Sequence, residues 1–170
     1  MFDECDKLKT AAELQPLIRS LQAAGRTVVF ANGCFDLIHV GHIRYLEAAK
    51  HAGDCLVVGI NSDAAVRHLK GRGRPLINES ERAEIIGAFQ CVDYVTIFDE
   101  ITADGLLALL KPDIHAKGTD YTVDTVPEGQ TVLGFGGRVA IVGDQKGHST
   151  RDTIAEIVRK AKRAGNERLL

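Results

Sequence analysis

Thr27-Val28-Val29-Phe30-Ala31-Asn32-Gly33-Cys34-Phe35-Asp36-Leu37-Ile38-His39-Val40-Gly41-His42 is the stretch on which the reading of this chain turns. Its first five residues form an apolar run of the length of one buried strand. Asn32-Gly33 ends the run, and from His39 to Ala52 the pattern is helical, closed by Gly53. Gly33 and Gly41 are positions where a ligand phosphate can approach the backbone. Exposed N–H groups and the positive end of the helix dipole favour an anion there. His39 and His42 are three apart, so on the first turn they share a face. Two imidazoles beside a helix N-terminus make a donor site for phosphate oxygens. Two other readings of the pair stand at this stage. One is a plain cap or packed side chain; the other is a zinc site, which has no obvious third ligand nearby.

Outward from this segment the alternation continues. Upstream, Leu14, Leu17, Ile18 and Leu21 recur on one helical face ended by Gly25, and Pro16 suggests that the regular helix begins there. Downstream, 55–60 reads as a second strand, 63–69 as a short helix and 71–75 as a Gly-rich loop. Asn78 with Glu81 resembles a capping box that opens a helix through Phe89. Strands are expected at 92–98, 113–116 and 138–142, with a helix at 102–110 stopped by Lys111-Pro112. A polar stretch, 118–130, runs into a weak helix. Ser149 can cap a last helix that carries Ile154, Ile157, Val158 and Ala161 on one face. Short apolar strands alternating with helices predict an α/β fold: a Rossmann-like, five-stranded parallel sheet covered on both faces. Ligands of such sheets sit at the carboxyl ends of the strands. The segments to search are therefore 32–42, 61–75, 117–121 and 143–150.

Composition narrows the class. The chain has 170 residues, 45% hydrophobic and 26% charged, with a net charge of -2. These values suit a single globular domain, 1–170, with its core over about 26–158. They argue against a nucleic-acid binder, which shows a basic excess. No apolar run reaches the length of a membrane span and the N-terminus has no signal core, so a cytoplasmic protein is expected. Cys5, Cys34, Cys55 and Cys91 show no CxxC spacing and are expected to be free thiols. There is no GxxxxGK[ST] loop, and no GxGxxG that follows a strand and opens a helix, which disfavours P-loop kinases and nicotinamide enzymes.

Gly33-Cys34-Phe35-Asp36 followed by His39-Val40-Gly41-His42 resembles the GxFD and HxGH signature of the HxGH nucleotidyltransferase superfamily. Asn61-Ser62-Asp63, Lys70 to Pro75, Arg82-Ala83, Lys117 to Tyr121 and Ser149-Thr150 follow in order. The whole string is similar to the branch of adenylyltransferases that act on D-glycero-D-manno-heptose 1-phosphate. Thr119 and Arg151 depart from the pattern: a second Gly and a second Thr are usual there.

The resemblance implies transfer of AMP from ATP to the sugar phosphate, with Mg2+ bridging the phosphates and no dedicated protein metal site. It implies His39, His42 and Lys70 as catalytic residues. Asn32, Gly33, Cys34, Phe35, Asp36, Gly41, Lys117, Gly118, Asp120, Ser149 and Thr150 would bind nucleotide. Asn61, Asp63, Arg72, Arg74 and Arg82 would bind the sugar phosphate. Arg72 and Arg74, in the Gly-rich loop, could close as a lid. The expected partners are ATP and a sugar phosphate only, in a homo-oligomer, with no nucleic acid or membrane. Many members of this branch are fused to a sugar kinase; nothing in these 170 residues is long enough to be one, so a kinase partner is expected as a separate chain. A cytidylyltransferase for glycerol 3-phosphate or another polyol phosphate is the alternative enzyme. A regulatory nucleotide-binding module without catalysis is the alternative outside enzymes, and the presence of both histidines counts against it.

Overall fold

The computed structural model describes residues 6–144, 147 and 149–163. Five strands form one parallel sheet: β1 (Val28–Gly33), β2 (Cys55–Asn61), β3 (Tyr94–Phe98), β4 (Ile114–Lys117) and β5 (Arg138–Ile141). Their order is β3-β2-β1-β4-β5. The chain steps outward from β1 to β3 and then returns to the other side of β1, pairing Val29 with Ile114 and Ala31 with Ala116. The strand order thus reverses between β1 and β4, and the crevice at their carboxyl ends is where such a sheet receives a ligand.

Side-chain alternation along β1 feeds two cores. Val28 and Phe30 face one layer with Leu14 and Ile18 of α1 (Ala11–Ala23) and Leu106, Leu107 and Leu110 of α5 (Asp104–Leu110). Val29 and Ala31 face the other with Leu46 and Ala49 of α2 (Val40–His51) and Ile86 of α4 (Glu79–Gly87). Gly59 is small for a packing reason: a Cβ there would stand 2.6 Å from the Phe30 ring. The remaining helices are α3 (Asp63–Lys70), α6 (Gly129–Gly134) and α7 (Thr150–Arg163), with a 3-10 turn at Val123–Thr125.

Several expectations shift. α1 starts at Ala11 rather than at Pro16, because Thr10 and Glu13 form a capping box: Glu13 N–H donates to Thr10 Oγ1 (3.3 Å) and Thr10 N–H to Glu13 Oε2 (2.7 Å). Pro16 sits inside the helix, where it removes one backbone bond. At α4 only half of the expected box forms, with Glu81 N–H donating to Asn78 Oδ1 at 3.0 Å. The third strand starts two residues late, since the Asp93 carboxylate instead accepts from Leu56 N–H (2.7 Å) and Lys50. Lys7 and Lys9 bracket an isolated bridge between Leu8 and Val95, adding a short parallel segment beside β3 that sequence patterning missed. The apolar face expected of the last helix exists, but α7 buries no residue, and Ile157 is 56% exposed. Cys34, Cys55 and Cys91 are free thiols; Cys5 lies outside the described residues. Among the described residues no helix is long and apolar enough to cross a membrane.

Candidate active site

At the carboxyl ends of the strands lies a cavity of about 990 Å³. Its floor is the turn from β1 into α2. Phe35 adopts φ +48, an uncommon conformation for a side chain of its size, and is 4% exposed. Gly33 makes room for it, since a Cβ there would stand 3.1 Å from the Phe35 ring. The glycine expected to admit a phosphate therefore also admits an aromatic ring, which packs edge-on against His42 at 5.4 Å.

His39 and His42 stack with ring centroids 3.8 Å apart. The His39 N–H donates to His42 Nδ1 at 3.3 Å. With Nδ1 accepting, the neutral His42 ring carries its proton on Nε2 and is a donor there. Burial, with the charge of His39 beside it, lowers its pKa to about 4. At neutral pH His42 is an uncharged donor at a helix N-terminus. It caps the helix with one nitrogen and carries its proton on the other, at the cavity.

Charged residues expected at the site divide into two sets. Lys70, Arg74, Lys117 and Asp120 line the cavity, as do Asn32, Cys34, Asp36, Gly41, Asn61, Gly118, Ser149 and Thr150. Asp63, Arg72 and Arg82 do not. Arg82 is fully buried, donating to Ile77 O (3.0 Å), Cys34 O (2.5 Å) and Asp63 Oδ1 (2.8 Å). Its guanidinium ties α4 to the β1 turn and to the start of α3, and both Arg82 and Asp63, expected at the sugar phosphate, hold this internal contact. Arg72 is exposed between Gly71 and Gly73, both at positive φ.

Asp36 is also engaged inside the protein. Its carboxylate accepts from Arg74 Nε (2.5 Å) and from the N–H groups of Leu76 (2.8 Å) and Ile77 (3.1 Å). It pins the far end of the Gly-rich loop to the β1 turn, so it orders the site through that loop. Nearby, burial raises the Cys34 thiol pKa against the lowering charges of Lys70, Arg82 and Arg74.

On the β4 side, Lys117 donates to Asn32 Oδ1 (3.0 Å) and meets the Glu128 carboxylate (3.1 Å to Oε2). Tyr45 donates to Ala116 O at 2.8 Å, fastening α2 to the end of β4, and burial raises its pKa. Thr119 Oγ1 donates to Asp144 O at 2.6 Å, and Asp144 pairs with Arg44. The departure at Thr119 thus joins the loops after β4 and β5. Ser149 Oγ accepts from Asp152 N–H (3.1 Å) as a cap, and Thr150 Oγ1 donates to Leu37 O (3.0 Å). Sequence reading missed Glu128, Tyr45 and Arg44. Tyr45 and Arg44 lie within a recognised helix pattern, and Glu128 lies in a polar stretch without periodicity. Among the described residues no three His, Cys, Asp or Glu side chains group as metal ligands would.

The model of the cytidylyltransferase-like family matches residues 30–166. The chain belongs to this family. Among cytidylyltransferase-like relatives, the bifunctional protein HldE of Geobacter metallireducens is 50% identical over 157 residues, 92% of this chain and 32% of that protein. HldE of Pelobacter propionicus is 49% identical over 158 residues, 93% of this chain and 32% of that protein. The chain spans about a third of the length of these curated relatives. A lipopolysaccharide core biosynthesis protein from Thermoplasma volcanium is a structural neighbour, with TM-score 0.63 and 29% identity, over 72% of this chain and 100% of that one. Pantothenate synthetase from Thermus thermophilus shares the fold, with TM-score 0.61 and 17% identity, over 91% of this chain and 70% of that one.

Proposed function

We infer that this chain is a nucleotidyltransferase that transfers AMP from ATP to D-glycero-D-manno-heptose 1-phosphate, giving ADP-heptose and pyrophosphate. The observation that carries the reading is the stacked His39–His42 pair at the start of α2, inside the cavity, in a chain half identical to HldE proteins. ADP-heptose as a lipopolysaccharide core precursor agrees with the description of the Thermoplasma neighbour. In the same reading the enzyme is cytoplasmic and homo-oligomeric, and a sugar kinase activity precedes it.

A phosphate oxygen of the sugar phosphate attacks the α-phosphorus of ATP in line. The new P–O bond forms as the bond to the β-phosphate bridging oxygen breaks, and pyrophosphate leaves. The attacking phosphate is already ionised, so the protein's work is orientation and charge stabilisation. His42 donates through Nε2 and His39 beside it to the triphosphate, with the α2 N-terminus behind them. Lys70, Arg74 and Lys117 line the same cavity; in this reading Lys70 acts beside the histidines in catalysis, Arg74 binds the sugar phosphate and Lys117 the nucleotide. Mg2+ would be held by the phosphate oxygens, because Asp36 is already engaged by residues 74–77.

Pyrophosphate release with each of four nucleoside triphosphates against a panel of sugar and polyol phosphates tests the reading. ATP with the heptose 1-phosphate is expected to turn over fastest. Faster turnover of CTP with glycerol 3-phosphate would replace it with a cytidylyltransferase.

A further inference from the structure

Lys117 is 7% exposed at the end of β4, and an ammonium so deeply set needs a counter-charge and acceptors. Glu128, 2% exposed, supplies the charge, with Oε1 at 3.3 Å and Oε2 at 3.1 Å from Nζ. Asn32 Oδ1 supplies a second acceptor at 3.0 Å. The carboxylate is itself fixed from behind, since Oε1 accepts from Ala103 N–H at 3.3 Å and Glu128 immediately precedes α6. His115 Nε2 stands 3.6 Å from Oε2, too far for a hydrogen bond. Burial pushes the Glu128 carboxyl up; the nearby imidazole, the Lys117 charge and backbone N–H groups outweigh it and hold the pKa down to about 2. The group is ionised at every working pH.

An ammonium has three donors. Here Asn32 Oδ1 takes one, the Glu128 carboxylate is met at both oxygens, and the fixed head lies 5.4 Å from the Tyr121 ring at the wall of the cavity that Lys117 lines. The same contact turns the Asn32 amide oxygen towards Lys117 and its NH2 away from it. Glu128 also cancels the charge of Lys117, so what Lys117 gains from this neighbour is direction and not field strength.

We propose that Glu128 is a positioning residue: it fixes the Lys117 ammonium, and through it the Asn32 amide, as preoriented donors to the nucleotide phosphates. The proposal rests on the nucleotide-binding part of the function inferred above. Preorientation removes an ordering cost from binding. It also carries an expectation opposite in sign to a simple charge effect. If Lys117 acted only as a positive charge, removing Glu128 would tighten anion binding; if its direction matters, binding weakens.

Calorimetric titration of ATP and of CTP into the wild type, E128Q, E128D, K117M and the E128Q/K117M double variant decides between them. E128Q is expected to weaken ATP binding by about tenfold, the scale of one charge-assisted hydrogen bond. E128D keeps the charge but withdraws it by one methylene, and is expected to weaken binding as well; it also serves if E128Q does not fold. In the K117M background E128Q is expected to add nothing, because Glu128 acts through Lys117. Tighter binding by E128Q, or a loss that persists in K117M, would overturn the proposal. Failure of heptose 1-phosphate turnover in a wild type that binds nucleotide would overturn the substrate assignment and leave Glu128 where it is. A wild type that binds neither nucleotide would overturn both.

Discussion

On the β4 side of β1, Lys117 reaches the cavity while bound to Asn32 and Glu128; on the β2 side, Arg82 is fully buried, with its guanidinium engaged by Ile77, Cys34 and Asp63. Both residues are cations near the carboxyl ends of the strands: Lys117 ends β4, and Arg82, on α4, reaches the turn after β1. One lines the cavity and the other is a fastener. The difference lies in what surrounds each. The long loop from Lys70 to Asn78 must be held against the β1 turn, and Asp36 and Arg82 do that from its two sides. After β4 the segment 118–128 is tied by Thr119 to Asp144 and by Glu128 to Lys117 and Ala103.

The strongest way to break this comparison is to remove the clasp. Arg82→Ala leaves Asp63 without its buried partner and frees two carbonyls, and is expected to cost about 3–5 kcal/mol of stability, read as a large loss in the denaturation midpoint. If Arg82→Ala instead melts like the wild type and raises KM for the sugar phosphate, Arg82 belongs with the ligand groups. Next in size, His42→Ala is expected to lower kcat by about 10²–10³. It should also lose roughly 1 kcal/mol of stability, because Nδ1 accepts the His39 N–H. His39→Ala is expected to lower kcat to a similar extent, and the double variant to lose less than the product of the two. Melts run beside steady-state kinetics separate the two effects; a destabilised but fully active His42→Ala would leave the pair as a cap.

A smaller effect concerns pH. Folded His42 titrates near 4 against 6.5 for a free imidazole, so the unfolded chain binds the extra proton between those values. Its contribution to stability is complete above pH 6.5 and is lost as the pH falls towards 4. His115, whose pKa burial also lowers, acts in the same direction. Denaturant melts across pH 4–7 should show stability rising with pH, with a shallower slope in His42→Gln; an unchanged slope would contradict the buried, neutral assignment. The smallest effect is expected at Arg72, exposed and outside the cavity. Arg72→Ala should change stability by within about 0.5 kcal/mol. Whether it changes KM for the sugar phosphate reads out lid closure in the loaded enzyme.

The sheet and the β1 turn were legible because they depend on local patterns: an apolar run, a glycine break, and two histidines one helical turn apart. The start of α1 was misread although its signal was present. Thr10 and Glu13 form a capping box, and Pro16 inside the first turns masks that signal. The fates of Asp36, Arg74 and Arg82 were not legible. Each depends on a partner 19 to 48 positions away in the chain, and no period encodes such a pairing. Glu128 was invisible for the same reason, since its partners lie on β4 and at the start of α5.

The position of β1 has a consequence for the order in which the molecule can be made. Val28 N–H donates to Asp113 Oδ2 across 85 positions, and β1 gains its second neighbour only when β4 arrives. Until then Val28-Val29-Phe30-Ala31 is an open edge strand, apolar on both faces and without charge, the kind of segment that recruits other chains. The strand at whose end the cavity opens is thus an adhesive edge of the nascent chain until β4 (Ile114–Lys117) has been made. Late closure by β4 completes the crevice and retires that edge in one event, so slow emergence of residues 110–117 should favour aggregation before it affects any chemistry.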